Sequence, residues 1–153
     1  MLPIKKILAA IDLSKYSKAT LKYACYLAES LHADLMIINV LNQRDVEAVS
    51  RVSQYAPNIS VENYISSQKD ERQKAIEQLL KEINTGVKPK ELILRVGIPF
   101  SEILDVVHSH KIDLVVMGAK GRSDIATILL GSTSEKMLRR SPVPVIIIKT
   151  TDI

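Results

Sequence analysis

The chain of 153 residues is 46% apolar and 25% charged, the proportions of one ordinary globular domain and not of a disordered or fibrous chain. Its apolar runs fall far short of the roughly 20 residues a membrane-crossing helix needs, and its single cysteine, Cys25, excludes an internal disulfide. The net charge of +4 is spread along the chain among acids, and one Phe with no Trp leaves few stacking platforms, so nucleic acid is not an expected partner.

In chain order, the first expected element is an apolar, β-branched strand at 7–11. Lys5 and Lys6 precede it, but it stops at Asp12 without a small-residue cleavage site. A secretory signal is therefore not expected, and the expected compartment is the cytoplasm. A helical stripe follows, with Leu21, Ala24, Cys25, Ala28 and Leu31 at spacings of three and four. Cys25 lies in that stripe and reads as a buried, inert thiol; His32 reads as a helix-end residue. A second strand is expected at 35–40. The stretch 42–67 is polar and carries Pro57 and Asn58; it reads as a mobile excursion with a short helix about 46–52.

The next stripe, Ile76, Leu79, Leu80 and Ile83, is another amphipathic helix, stopped by Gly86 in the C′ role with Pro89 beyond. A third strand is expected at 92–96 and a third helix after Pro99, through Ile103, Leu104, Val106 and Val107. His108 and His110 are two apart on that helix, point different ways and read as surface histidines, not a metal pair. A fourth strand at 114–117, a helix from Ser132 carrying Met137 and Leu138, and a last strand at 143–148 complete the chain.

This alternation of near-continuously apolar strands with amphipathic helices predicts the α/β class: a single domain over 1–153 with a five-stranded parallel sheet and helices on both faces. Such sheets bind ligands beyond the C-terminal ends of their strands, where strand order reverses. The loops after strands are the place to look.

After the fourth strand come Gly118, Ala119, Lys120, Gly121 and Arg122, then Gly131, Ser132 and Thr133. The G-x2-G-x9-G-[ST] spacing, after a strand and before a helix, fits phosphate binding. Glycines allow close backbone approach, and the helix start offers N–H groups and a positive dipole end. Ser132 and Thr133 can add hydroxyls, Lys120 and Arg122 positive charge. A plainer reading stands beside this one: Ser132 with Glu135 forms a capping box that satisfies the helix start unaided, the glycines are turn residues, and Lys120 and Arg122 are solvated surface. Asp12, at the end of the central strand, offers Mg²⁺ an oxygen ligand, or serves as a turn or N-cap residue of the first helix. No Walker-type Gly-Lys-Ser/Thr and no G-x-G-x-x-G after the first strand are present.

The set Gly118, Gly121, Gly131 and Ser132 resembles the nucleotide-binding signature of the ATP-binding branch of the universal stress proteins. Other traits fall in register over residues 3–149: Ile11 and Asp12 ending the first strand, Val40 closing the second, Gly97 before Pro99, Asp113 before the fourth strand, and Pro142, Val143, Pro144 and Val145 opening the last. The resemblance implies a Rossmann-like, adenine nucleotide alpha hydrolase-like domain whose variable part is 42–67. It implies Asp12 near ribose or a phosphate-bound metal, the main chain of Val40 reading adenine, Gly118 and Gly121 bracketing ribose and phosphates, and Gly131, Ser132 and Thr133 holding phosphate oxygens. Leu13 departs from the family pattern, since many relatives have glycine there.

The implied ligand is ATP, ADP or AMP, with Mg²⁺. The expected partner is a second copy, paired through the last strand at 143–148, from Val143 to Ile148; the apolar edge itself argues for such pairing. Three functions follow from this reading: a nucleotide-responsive stress or regulatory module, a slow Mg²⁺-dependent ATPase, or a partner-binding stress protein whose glycine loop is structural and empty. No water-positioning Gln or general base is visible in the motif, which ranks hydrolysis below binding.

Overall fold

The structure is a computed structural model and describes residues 3–120 and 130–151. Its elements in chain order are β1 (Lys6–Ala10), α1 (Ser17–Leu31), β2 (Asp34–Asn42), α2 (Gln43–Ser53), α3 (Val61–Ile83), β3 (Glu91–Gly97), α4 (Pro99–Ser109), β4 (Leu114–Gly118), α5 (Ser132–Arg140) and β5 (Val145–Ile148). The strands form one parallel sheet in the order β3-β2-β1-β4-β5. The chain builds outward from β1 to β3, then crosses back to lay β4 on the other side of β1. Strand order therefore reverses between β1 and β4.

Why the strands read as unbroken apolar runs is plain from their packing. Ile7, Ala9, Leu35, Ile37, Leu114 and Val116 face one layer, in which α1 contributes Leu21, Ala24 and Cys25 and α3 contributes Ile76. Their neighbours Leu8, Ala10, Met36, Ile38, Val115 and Met117 face the other, made by Ile103, Val106 and Val107 of α4 and Met137 of α5. A strand covered on both faces has no position at which a polar residue reaches water. Cys25 is 2% exposed, and burial, the largest influence on it, raises its thiol pKa. No helix among the described residues is long and apolar enough to cross a membrane.

The expected strands and helices are present, with three corrections. The stretch 42–67, read as an excursion with a short helix about 46–52, holds more helix than that: the expected helix is present as the longer α2, and the first turns of α3 follow it. Asn42 caps α2 by accepting from the Arg44 N–H at 3.0 Å, and Ser60 caps α3 by accepting from the Asn63 N–H at 3.2 Å. α2 buries no residue, and α3 buries only Arg72 and Ile76, so this segment lacks the apolar stripe by which a sequence declares a helix. Second, the left-handed C-cap of α3 is Asn84 (φ 52°), whose N–H donates to the carbonyls of Leu80 and Lys81. Gly86 lies beyond it and does not take that role. Third, β5 begins at Val145; Val143 and Pro144 precede it, although the Pro144 carbonyl already accepts from the Val115 N–H at 3.0 Å. His32 ends α1 in a left-handed conformation (φ 52°), and His110 faces Glu91, its Nε2 3.2 Å from Oε2.

Candidate functional site

The C-terminal ends of β1, β2 and β4 open into one cleft of about 930 Å³. Its floor is the main chain around Asp12, Val40 and Gly118. Arg44, Asp45, Ala48 and Val49 of α2 form one wall, continued by Tyr64, Gln68 and Arg72 of α3. Opposite stand Pro99 and Ile103 of α4 and the first residues of α5. Of the residues singled out in the sequence, Asp12, Val40, Gly118, Gly131, Ser132 and Thr133 all line this cleft, as does Lys120. Gly121 and Arg122 lie outside the described residues.

At the α5 corner the capping-box reading fails. The N-cap is Gly131 (φ −70°, ψ 164°), which has no side chain to close the helix, and Ser132 is already the first helical residue. The Glu135 N–H makes the ordinary first helical bond to the Gly131 carbonyl at 3.0 Å, while its carboxylate pairs with Arg139 at 2.9 Å. The first N–H groups of α5 thus start at the cleft wall with no capping side chain, the arrangement that favours an anion.

This corner is tied to the sheet by a residue that the motif does not include. Ser134 is 3% exposed, and its Oγ lies 2.8 Å from the Gly118 carbonyl and 3.1 Å from that of Ala119. The Gly131 N–H donates to the Ala119 carbonyl at 2.7 Å. These bonds set the start of α5 against the exit of β4. Gly118 needs no unusual backbone angle: it lies outside the positive-φ set, in which Gly97 is the one described glycine. It is glycine for room, since a Cβ there would lie 2.9 Å from the Cβ of Tyr16, at the start of α1.

Asp12 follows β1 and folds back on its own loop, Oδ1 accepting from the Ser14 N–H at 3.0 Å. That is an Asx turn. The N-cap of α1 is Tyr16, which makes no side-chain cap bond, so Asp12 is not the cap. Next to it Leu13 sits at φ 64°, the left-handed region where a residue with a Cβ is strained; this explains why glycine suits the position. No group of three or more His, Cys, Asp or Glu suited to a metal occurs among the described residues. One carboxylate does fit Mg²⁺ in its usual nucleotide role, where phosphate oxygens and waters supply the remaining ligands.

Sequence reading missed a second polar cluster. Asn39 on β2 is 1% exposed; its Nδ2 donates to the Ile11 carbonyl at 2.8 Å, and its Oδ1 accepts from Arg72 Nη1 at 2.8 Å. Arg72 Nε also donates to Gln68 Oε1 at 3.4 Å. A signal was available: Asn39 interrupts an apolar strand, and Arg72 occupies the position four before Ile76 in the buried stripe of α3.

The fold defines a doubly wound α/β domain with a cleft at its switch point, the place where such sheets bind ligands. The model of the universal stress protein family matches residues 3–149, and the chain belongs to that family. It is 29% identical to universal stress protein MJ0577 of Methanocaldococcus jannaschii, over 95% of this chain and 94% of the relative. To universal stress protein YxiE of Bacillus subtilis it is 30% identical, over 94% and 98%. The solved structure of MJ0577 superposes with a TM-score of 0.79 at 25% identity, over 99% of this chain and 100% of that one. A universal stress protein solved in complex with cAMP shares the fold at a TM-score of 0.63 and 24% identity, over 97% and 99%.

Proposed function

We propose that the cleft binds an adenine nucleotide, ATP or its di- or monophosphate, and that the protein acts as a nucleotide-responsive stress or regulatory module. The observation that carries this reading is one cleft joining two chemistries. At one end is the uncapped start of α5 with Gly131, Ser132 and Thr133; at the other, an apolar slot between Ala48 and Val49 on α2 and Pro99 and Ile103 on α4, floored by Val40. The first suits phosphates, the second a flat base, and the size lies within the roughly 300–1,000 Å³ of small-molecule sites. Asp12, between them, is the residue for ribose or for Mg²⁺ bound to the phosphates. Gly121 and Arg122, which the sequence motif assigns to the phosphates, lie outside the described residues. Family relatives solved with an adenine nucleotide, such as the cAMP complex, are consistent with this choice of base.

Cytoplasmic placement goes with this reading, since that compartment holds adenine nucleotides and keeps a lone thiol reduced. We also propose a two-fold homodimer through β5, which among the described strands is an edge strand paired with β4 alone.

The test is calorimetric titration with Mg²⁺-ATP, alongside release and chromatography of any nucleotide that purifies with the protein. Gly118→Val is a poor control because its side chain collides with Tyr16. Gly131→Asp is a good one: Asp is a favoured N-cap, so the helix keeps its start, while its carboxylate repels phosphate. Binding by the native chain, weakened about tenfold or more in Gly131→Asp, is the expected result. No binding, or equal binding by both, overturns the assignment.

A further inference from the structure

The chain has five Tyr, one Phe and no Trp, and packing or solvent accounts for most of these rings. Tyr16 is buried against Gly118, Phe100 packs on the α4 side of the sheet beside Arg140, and Tyr23, Tyr26 and Tyr55 face outward. Tyr64 differs from all of them. It is half-buried, is not among the side chains packed on either core, and is the one aromatic residue among the described residues that line the cleft.

The helix fixes where the ring stands. Ser60 caps the first turn of α3, and the Tyr64 N–H donates to the Ser60 carbonyl at 3.0 Å. Tyr64, Gln68 and Arg72 follow one another at four-residue steps and all line the cleft, so one face of α3 is turned toward it. At the inner end of that face Arg72 Nη1 meets Asn39 of β2 at 2.8 Å. Tyr64 lies about 12 Å back along the helix from there, in the outer part of the cleft and clear of the sheet.

α2 packs against α3, and the ring continues the wall that Ala48 and Val49 form. Those two residues, with Pro99 and Ile103 opposite, are aliphatic; they offer a base bulk but no π-face. A tyrosine supplies a rigid aromatic plane at low entropy cost, since only two torsions must be held. Every base can stack on such a plane, and preference among bases then follows stacking strength, which rises with the area of the face in contact.

We propose that Tyr64 is the base-selecting residue of the cleft: its ring stacks on the base of the bound nucleotide and, through the area of that contact, favours a purine over a pyrimidine. This rests on the nucleotide reading given above and names what selects the base.

The test is titration of the full chain, with Mg²⁺, against ATP and CTP, which carry the same phosphates and sugar. ATP is expected to bind about tenfold tighter than CTP or better. Tyr64→Ala should weaken ATP about tenfold and CTP less, narrowing the preference, with the unfolding midpoint of the free protein checking the fold. Tyr64→Leu, which keeps apolar bulk without the plane, should narrow it in the same direction and decides the matter if Tyr64→Ala does not fold. Tyr64→Phe, which keeps the ring, should restore the preference. Equal binding of ATP and CTP by the native chain, a loss in the variants that is the same for both nucleotides, or a loss that Tyr64→Phe shares in full overturns the inference and leaves the nucleotide reading standing. Failure of the native chain to bind either nucleotide overturns the two together.

Discussion

The described glycines are not equivalent, and the difference is physical. At Gly118 a Cβ would lie 2.9 Å from the Tyr16 Cβ, an atom fixed to the backbone that no rotamer change can move, while at Gly86 nothing lies within 4 Å and φ is not positive. Gly118→Ala should therefore destabilise by about 1–3 kcal/mol, the usual cost of overpacking. Gly86→Ala should be neutral or stabilising by up to about 1 kcal/mol, because alanine restricts the unfolded chain. Urea unfolding of both variants checks this. Equal effects would mean that the contact with Tyr16 does not constrain β4. The motif's spacing was legible in the sequence, but the reason for its first glycine was not, since Tyr16 lies about a hundred residues away along the chain.

Among the elements, α2 is the one whose stability is borrowed. It has 11 residues, none buried, and among the described elements packs chiefly on β2 and α3; helices shorter than about 12–15 residues are marginal without tertiary support. Yet Ala48 and Val49 face the cleft, where a bound base would give them the apolar neighbour they lack. Amides within 43–53 should exchange about tenfold faster than those around Ile76 in α3, and slow on addition of Mg²⁺-ATP. Hydrogen-exchange mass spectrometry with and without nucleotide measures both. Unchanged exchange in α2 on saturation would remove it from the binding site. The same sparse burial explains why the sequence showed α1 and α4 clearly, only the middle of α2, and not the start of α3. Periodicity reports a buried face, and these turns have almost none.

For the whole molecule, the outstanding question is the free edge at β5. Pro144 and Ile148 turn their carbonyls toward β4, accepting from Val115 and Ala119 at 3.0 and 2.9 Å. Main-chain groups alternate along a strand, so Val145 and Ile147 direct theirs to the open side. A dimer paired there should run as two chains in light scattering at micromolar concentration. Ile147→Pro, which deletes an N–H on the open side and none toward β4, should shift it to monomer. A monomeric native protein would exclude the proposed pairing.

What the sequence determined by itself is what depends on near neighbours. Stripes at three and four residues, continuous β-branched runs and the glycine spacing are local patterns, and they were enough for the parallel sheet, the helices on both faces, and a cleft lined by Asp12, Gly118, Gly131, Ser132 and Thr133; Val40, which also lines it, was named by the family resemblance alone. Tertiary structure alone decided which distant groups meet. Arg72 reaches Asn39 across 33 positions and Ser134 reaches Gly118 across 16, because β2 and β4 flank β1 in the sheet order. Hydrogen-bond partners of buried polar groups follow from strand order, and strand order is not written in any short stretch of chain.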